Sequence, residues 1–372
     1  MTAASTITVT VSRVTDFAAL ETRWRELETR SDPSFFQSWT WTGCLVEERF
    51  PNPVLVEARQ ADRTVALGLF NQRGRSLYLG ESGDPALDTI YIEHNGILVE
   101  AGQPPSVQTA CLSAALRGTG PGTSNGTGLG RFRLVLSGVN GAAAAEAARS
   151  GYVRHLRATA APYVDMERHG QDFLDRRSAN TRQQLRRSDR SYAARGDLII
   201  ERAETPAETE TFMDELRALH QLYWVARGRP GAFANPFFIR FHRALLARGM
   251  DRNEIDLFRV AAGADTIGFL YNFRFRGNSL AYQSGFDYAN ATRHEKPGLT
   301  CHHQAIRYAA GWGAARYDFL AGDDRYKQSL SDDCETLHWI EAGGPFSPRL
   351  RLLSARDQLS SYLARVRPST AG

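Results

Sequence analysis

Lysine is almost absent from this chain. Of 45 basic side chains only two are lysines, Lys296 and Lys327, and they lie close together in the C-terminal half. A GC-rich genome replaces lysine with arginine throughout a protein, and the abundant alanine and glycine agree with that origin. Each remaining lysine is therefore informative, and both are candidates for a functional role.

Cysteine is also scarce. The four cysteines, Cys44, Cys111, Cys301 and Cys334, are far apart in the sequence. They form no CxxC pair and have no histidine at ligand spacing, which argues against a zinc site. We expect buried or inert thiols in a reducing cytosol, and no metal.

Long apolar runs and nucleophile motifs are missing too. No stretch approaches the roughly 18 apolar residues of a membrane-spanning helix, so we expect no membrane insertion. The N-terminal sequence has no basic segment followed by an apolar core, so we predict no signal peptide and a cytoplasmic location. The sequence has no GxSxG motif and no visible Cys–His pair, which argues against a mechanism with a covalent enzyme intermediate.

The overall composition is that of a globular protein. Of 372 residues, 42% are apolar and 23% are charged. At about 100 to 200 residues per domain, this length predicts two domains. The formal net charge of +4 suits anionic ligands such as nucleotides, but it is too small to indicate a dedicated nucleic-acid-binding protein.

The two halves share an internal repeat. Residues 58–77 and 261–280 are identical at nine of twenty positions without a gap. Each copy has three apolar segments separated by polar turns, which predicts a three-stranded antiparallel meander with Gly74 or Gly277 at a hairpin turn. In both halves the pattern predicts two helices, the meander, a helix and a strand. We therefore predict an N-terminal domain over 1–168 and a C-terminal domain over 169–372.

An arginine-rich segment, residues 172–197, connects the copies. Arg182, Arg186 and Arg190 are spaced four residues apart, which places them on one face of a predicted helix. This face either contacts phosphate or another ligand, or is solvated in an arginine-biased protein. Both interpretations stay open.

Four segments carry a family resemblance: "GYVRHLRATAAPYVDM", "LRRSDRSYAARGDLII", "YQSGFDYANATRHEKPGL" and "YDFLAGDDRYK". They resemble the CelD/BcsL (BioF2-like) acetyltransferases, which are related to the FemAB/FemX aminoacyltransferases. The most specific positions are Gly285–Phe286–Asp287, Pro297–Gly298, Asp318–Phe319, Gly322 and Tyr326–Lys327. The resemblance implies an α/β (α+β) fold of tandem GNAT-like domains, each with a mixed, mostly antiparallel sheet flanked by helices. We expect only the C-terminal copy to be catalytic, because the N-terminal copy has no counterpart of these motifs.

The resemblance implies a coenzyme A donor. Its pyrophosphate needs backbone N–H groups at the start of a helix, where the helix dipole is positive. The loop "RHEKPG" stands directly before a predicted helix, which makes Arg293, His294, Lys296 and Gly298 candidate donor contacts. Lys296 departs from the family, which usually has a small or hydroxyl residue there, and a plain loop with proline at the helix start is the alternative.

The loop after the last strand holds the candidate catalytic residues. Transfer to an amine needs a base for the amine and a proton donor for the leaving thiolate. The candidates are Asp318, Asp323, Asp324, Tyr326 and Lys327. Clustered carboxylates raise one another's pKa, which favours a base, whereas a solvated turn with a plain ion pair at Lys327 is the alternative.

Candidate acceptor contacts lie on or after the third meander strand and on the arginine-rich helix: Tyr282, Gln283, Asp287, Arg182 and Arg186. His302 and His303 are adjacent, so on a helix they diverge by about 100° and only one can face a site. We predict structural roles for both.

Three functions follow from these observations. The first is an N-acyltransferase that uses acyl-CoA, with acetyl-CoA as the first candidate, and acts on an amine of a sugar, sugar nucleotide or small metabolite. The second is a FemX-like transferase that uses aminoacyl-tRNA. The third is a non-catalytic partner protein of an exopolysaccharide pathway, because a fold alone does not secure an activity.

Overall fold

A computed structural model describes residues 6–118, 133–168 and 173–366 of the chain. Its residues form two compact units. One unit contains the residues up to Ala158 together with those from Leu337 onward, and the other is Thr159–Thr336. The sequence assigns 159–168 to the N-terminal domain and 337–372 to the C-terminal one. In the structure, the described residues 159–168 and 337–366 lie instead in the other unit. The division into two duplicated domains at residue 168 stays a prediction.

The first unit is built from a sheet and five helices among its described residues. Its elements are β1 (Ile7–Arg13), α1 (Phe17–Thr29), α2 (Trp39–Glu48), β2 (Pro53–Gln60), β3 (Arg63–Arg73), β4 (Ser76–Leu79), β5 (Leu98–Val99), α3 (Ser106–Arg117), β6 (Arg133–Asn140), α4 (Gly141–Ser150) and the first half of β7 (Tyr152–Asp165). The end of β13 (Asp333–Gly343) and α10 (Pro348–Val366) complete it.

The sheet of the first unit follows the predicted meander. β1, β2, β3 and β4 pair in sequence as antiparallel neighbours, with the short β5 also on β3. β6 then adds to β4 in parallel, and β13 adds to β6 antiparallel. Helix α3 packs on this sheet with residues such as Val107 and Leu112 in the core.

The second unit repeats the arrangement. Its elements are α5 (Ala179–Ala193), β8 (Leu198–Arg202), α6 (Pro206–Val225), α7 (Pro236–Gly249), β9 (Ile255–Ala262), β10 (Asp265–Phe275), β11 (Asn278–Phe286), α8 (Pro297–Gly311), β12 (Arg316–Asp318) and α9 (Arg325–Leu330). β8 to β11 are antiparallel neighbours in sequence, β12 adds to β11 in parallel, and the end of β7 adds to β12 antiparallel.

Two glycines show how the local sequence sets this geometry. Gly277, in the turn between β10 and β11, has φ of +76°, a conformation that glycine adopts without a steric penalty. Gly285, near the end of β11, would place a Cβ atom 2.3 Å from the carbonyl oxygen of Leu216 on α6. A side chain there would push the helix away, so this motif glycine lets α6 lie against the strand.

The structure confirms the predicted fold class and the predicted order of helices and strands in each half. Each meander is extended at one edge by a further strand, β1 in the first unit and β8 in the second. The sequence repeat begins after these strands, so it did not predict them. Within the described part of the chain, no helix combines the length and the apolarity that a membrane crossing requires.

Candidate active site

A cavity of about 480 Å³ opens in the second unit. It lies among the first turns of α5, the end of β11, the start of α8 and helix α9. The residues that line it are Asn180, Thr181, Gln184, Phe286, Tyr288, Lys296, Gly298, Leu299, Arg325, Tyr326 and Ser329. The predicted donor loop, through Lys296 and Gly298, and the predicted catalytic loop, through Tyr326, therefore meet at one cavity.

The start of α8 presents backbone donors to this cavity. Lys296 is the N-cap and Pro297 has no N–H, while the first intrahelical bond runs from Thr300 N to Lys296 O at 3.0 Å. The N–H groups of Gly298 and Leu299 thus precede the hydrogen-bonded part of the helix, at its positive end. A Cβ at Gly298 would lie 3.2 Å from atoms of both Phe286 and Tyr288, so glycine keeps the approach to these amides open. This arrangement suits an anion.

Two cations stand beside these amides. Lys296 and Arg325 are both exposed and both line the cavity. Neither side chain forms a hydrogen bond or ion pair with any residue that the structure describes. Their charges are therefore available to an anionic ligand, and a phosphate group at the start of α8 would lie near both.

Tyr326 borders the cavity, and its side chain also packs against the hydrophobic core of the second unit. Its ring stacks on His302 at a centroid distance of 5.3 Å and an interplanar angle of 22°. Burial, followed by the negative charge of Asp324, raises the pKa of Tyr326 well above its usual range. The phenol stays protonated at neutral pH, which suits a proton donor.

His302 supports this tyrosine from the core. It is 2% exposed, and its Nδ1 lies 2.9 Å from the hydroxyl of Tyr317. Burial and the ammonium group of Lys327 lower the pKa of His302 to about 3, so the imidazole is neutral at physiological pH. His302 therefore has a packing role, in agreement with the prediction for it.

Hydrogen bonds join α5 to the start of α8. The buried hydroxyl of Ser188 accepts the backbone N–H of Lys296 at 2.8 Å and lies 2.8 Å from the hydroxyl of Thr300. Thr300 donates to Asp189 Oδ1 at 2.8 Å, and the other oxygen of Asp189 lies 2.8 Å from His303 Nδ1. The orientation of the α8 N-terminus is thus set by a chain of buried contacts with α5.

A second set of contacts holds the donor loop itself. Glu295 is 3% exposed, and its carboxylate accepts hydrogen bonds from the backbone N–H of Thr292, the hydroxyl of Ser191 and the guanidinium of Arg195 at 2.5 to 3.1 Å. Two of these three donors belong to α5 or its C-terminal end. The loop before α8 is therefore anchored to the same helix as α8.

Asp318 and Lys327, two of the predicted catalytic residues, hold the turn between β12 and α9. Asp318 is 2% exposed; its oxygens accept the backbone N–H of Leu320 at 2.7 Å and contact Arg316 at 2.9 Å. Lys327 Nζ donates to the carbonyl oxygen of Ala321 at 2.9 Å. Gly322 has φ of +151°, a backbone conformation that residues with a Cβ rarely adopt, which explains the glycine of the motif. Neither Asp318 nor Lys327 lines the cavity.

The other predicted carboxylates are exposed. Asp323 and Asp324 lie at the surface before α9, and Asp324 is the N-cap of that helix. Asp324 contributes to raising the pKa values of Tyr326 and Tyr288, so its charge acts at the cavity although its side chain does not line it.

The remaining donor-loop candidates, Arg293 and His294, do not line the cavity. Arg293 and His294 are exposed, and His294 Nδ1 lies 3.5 Å from a guanidinium nitrogen of Arg187 on α5. They extend a cationic surface that begins at Lys296. A role toward an outer phosphate stays a prediction.

The predicted acceptor residues on β11 and after it are not brought to this cavity. Tyr282 packs among Tyr271, Phe273 and His242, with ring centroids 4.7 to 5.8 Å away. Gln283 accepts the backbone N–H of Ser284. Asp287 accepts the backbone N–H groups of Ala289 and Asn290, each at 3.1 Å, as in an Asx turn.

Helix α5 divides its polar residues between two surfaces. Arg182, Arg186 and Arg190 line a shallow, open depression, together with Ala179, Gln183 and Asp189. Arg182 also donates to the carbonyl oxygen of Arg177 at 2.6 Å. The opposite side of the helix supplies the lining residues Asn180 and Gln184. In the sequence, the spacing of four residues between Asn180 and Gln184 already indicates a shared helix face. The arginines at the same spacing form a stronger pattern, and only that pattern led to a prediction.

Comparisons with known proteins identify the class. A family model described as an acetyltransferase (GNAT) domain matches residues 179–328, a segment that contains every cavity-lining residue except Ser329. No curated protein matches the chain.

Solved structures show the same fold at low identity. FemX is 10% identical, with a TM-score of 0.59, over 92% of this chain and 99% of that one. The C-terminal DUF2156 domain assigned to a lysylphosphatidylglycerol synthetase from Agrobacterium fabrum is 15% identical, with a TM-score of 0.54, over 92% and 96%. A conserved Bacteroides thetaiotaomicron protein of unknown function is 9% identical, with a TM-score of 0.52, over 90% and 99%.

The fold and the matched segment define a GNAT-fold acyltransferase. Residues 179–328 match the acetyltransferase (GNAT) domain. This confirms the resemblance to CelD/BcsL (BioF2-like) proteins and the prediction of an acyltransferase domain. The expectation of a metal-free site stays a prediction.

Removal of the Ser188 hydroxyl tests the contact between α5 and α8. We expect Ser188→Ala to lower the free energy of unfolding by about 1 to 3 kcal/mol, because it leaves buried partners without a hydrogen bond. Ser191→Ala on the same helix is the matched control: its bond to Glu295 is longer, at 3.1 Å, and only partly buried, so a smaller loss is expected. Urea denaturation measures both, and equal losses would contradict the assigned importance of Ser188.

His302 predicts a pH dependence of stability. Its folded pKa of about 3 lies below its ordinary 6.5, so the unfolded chain takes up a proton first as the pH falls. Stability should decrease below about pH 6.5, by about 1.4 kcal/mol per pH unit for this group. His302→Gln should reduce the slope of unfolding free energy between pH 6.5 and 5, whereas the exposed His294→Gln should leave it unchanged. An unchanged slope in His302→Gln would refute a buried neutral imidazole.

Proposed function

We propose that this protein transfers an acyl group directly from acyl-CoA to an amine of a sugar, sugar nucleotide or small metabolite. One observation carries the proposal: the free N–H groups at the start of α8, the unpaired cation of Lys296 and the phenol of Tyr326 border the same cavity. The reaction needs a binding site for an anionic acyl donor and, beside it, a group that can donate a proton. This cavity has both.

The donor would bind across the start of α8. Its pyrophosphate would accept hydrogen bonds from the N–H groups of Gly298 and Leu299, and Lys296 and Arg325 would neutralise it. The exposed Arg293 and His294 would meet a phosphate farther along the donor. Acetyl-CoA is the first candidate donor.

The chemical step would need one base and one acid. The neutral amine attacks the thioester carbonyl carbon, the C–N bond forms, and the C–S bond breaks. The phenol of Tyr326 donates a hydrogen bond to the sulfur as the C–S bond breaks, and the leaving thiolate takes the hydroxyl proton. Asp324, through a water molecule, is the proposed acceptor of the amine proton. Tyr326 then regains a proton from solvent, and Asp318 and Lys327 would act by holding the turn that presents it.

The acceptor would occupy the side of the cavity near α5. Asn180 and Gln184 contribute amides, Thr181 and Ser329 contribute hydroxyls, and Tyr288 contributes an aromatic ring. Neutral hydrogen-bonding groups beside an aromatic face suit a polyhydroxylated ligand, and no carboxylate among the described residues lines the cavity. This supports a sugar or sugar nucleotide over a strongly cationic acceptor.

The two lysines provide the test. We expect Lys296→Met to raise the Kd for acetyl-CoA about tenfold, as a charge-assisted phosphate contact is lost, with little change in stability. Lys327→Met should instead lower the free energy of unfolding by about 1 to 3 kcal/mol, because its carbonyl partners lose their donor. Isothermal titration calorimetry measures the first quantity and chemical denaturation the second.

The outcomes are separable. Wild-type protein that gives no heat with acetyl-CoA or longer acyl-CoAs would reject the proposed donor. Wild-type binding with an unchanged Kd in Lys296→Met would retain the donor but reject its placement at the start of α8.

A second candidate function rests on the arginine face of α5. Arg182, Arg186 and Arg190 line an open depression that could follow a phosphate backbone. The resemblance to FemAB/FemX aminoacyltransferases suggests aminoacyl-tRNA as the donor in that case.

Salt dependence distinguishes this candidate from acyl-CoA transfer. If three arginines contact phosphates, the logarithm of the tRNA binding constant should fall with the logarithm of salt concentration with a slope of about −2 to −3. Arg186→Gln with Arg190→Gln should reduce that slope. Binding of tRNA that ignores both salt and these substitutions would count against the candidate.

A further inference from the structure

The C-terminal end of α6 exposes an unusual set of apolar side chains. Leu222 is 67% exposed and Val225 is 62% exposed, and their spacing of three residues puts them on neighbouring positions of one helix face. Tyr288 adds a ring that is 47% exposed. We call these three residues, with Arg227 and Arg229, the α6 patch.

Aromatic contacts join the patch to the cavity. Tyr288 lines the cavity and stands 5.0 Å from the ring of Tyr223 on α6. The guanidinium of Arg227 covers Tyr223 at 3.5 Å, and that of Arg229 lies 5.7 Å from the ring of Trp224. The patch therefore borders the mouth of the candidate active site.

Arginines flank the patch. Residues 216–250 contain six arginines and no aspartate or glutamate. Two carboxylates lie near Tyr288: Asp287 accepts two backbone N–H groups, and Asp324, whose charge reaches Tyr288, is followed by the exposed Arg325. An exposed apolar surface with two arginines at its margin favours an anionic partner.

The composition indicates which anionic partner. Leucine and valine suit the acyl region just beneath lipid headgroups, the tyrosine suits the interface, and arginine pairs with anionic headgroups. A protein partner would require a complementary apolar surface, but it would not require a negative charge. The α6 patch matches the lipid interface on all three counts.

We propose that the α6 patch binds the surface of membranes rich in anionic lipids and brings the mouth of the cavity to the headgroups. The helix would lie on the bilayer without crossing it. This binding does not depend on the proposed acyl transfer, so either proposal can fail alone.

Vesicle sedimentation tests the proposal. The full chain should partition onto phosphatidylglycerol–phosphatidylcholine vesicles and much less onto pure phosphatidylcholine vesicles. Leu222→Glu with Val225→Glu should lower the partition coefficient at least about tenfold. Arg227→Gln with Arg229→Gln should lower it about fivefold per arginine on the anionic vesicles only.

A matched control separates the patch from other exposed apolar residues. Leu352→Glu with Leu359→Glu changes two exposed leucines of the arginine-containing α10, 73% and 59% exposed, and adds the same charge. This pair should keep vesicle binding within about twofold of the wild type, since the α6 patch is intact. Thermal unfolding of each variant checks its fold.

Several results would overturn the proposal. These are no binding of the wild type to anionic vesicles, unchanged binding of the Leu222→Glu/Val225→Glu variant, or loss of binding in the α10 pair instead. Light scattering without vesicles provides a further check: a dimer that Leu222→Glu with Val225→Glu dissociates would assign the patch to self-association.

Discussion

The hydrogen bond from the backbone N–H of Lys296 to the buried hydroxyl of Ser188 is the constraint on which the site depends. It fixes where α8 begins, and Thr300, Asp189 and His303 extend it along the contact with α5. Because the start of α8 is oriented in this way, the donors of Gly298 and Leu299 face a cavity rather than solvent. An anion site built from backbone donors requires such rigidity, since a small rotation of the helix would misdirect them.

Burial behind the cavity keeps two ionisable side chains, His302 and Tyr326, in their neutral forms. Burial lowers the pKa of His302 to about 3 and raises that of Tyr326, so the stacked pair consists of a neutral imidazole and a neutral phenol. A charged group in either position would cost free energy in this apolar setting. Lys327 stabilises the same region, because its ammonium group donates hydrogen bonds to backbone carbonyls of the turn before α9, the helix that carries Tyr326. The two lysines of the chain therefore have different surroundings: Lys296 is open to a ligand and Lys327 is a structural tie.

The sequence predicted the fold well because the repeat and the apolar periodicity are local signals. The order of elements around β9, β10, β11, α8 and β12 follows from them. The family motif also selected Gly298 and Tyr326, and the position of the loop before α8 selected Lys296. All three line one cavity. It could not reveal that Asp318 faces Arg316 and its own turn, since that depends on the conformation of Leu320, with φ of +60°. Nor could it show that Asn180 and Gln184 reach the cavity, because the packing of α5 against α8 is set by residues more than a hundred positions apart.

The central claim is that acyl-CoA binds at the first turn of α8. Amide hydrogen exchange with and without acetyl-CoA tests it most directly, because the bound pyrophosphate should accept hydrogen bonds from Gly298 and Leu299. The account predicts slower exchange at these two amides when the ligand is present. Unchanged exchange there, with protection appearing instead on the arginine face of α5, would contradict it.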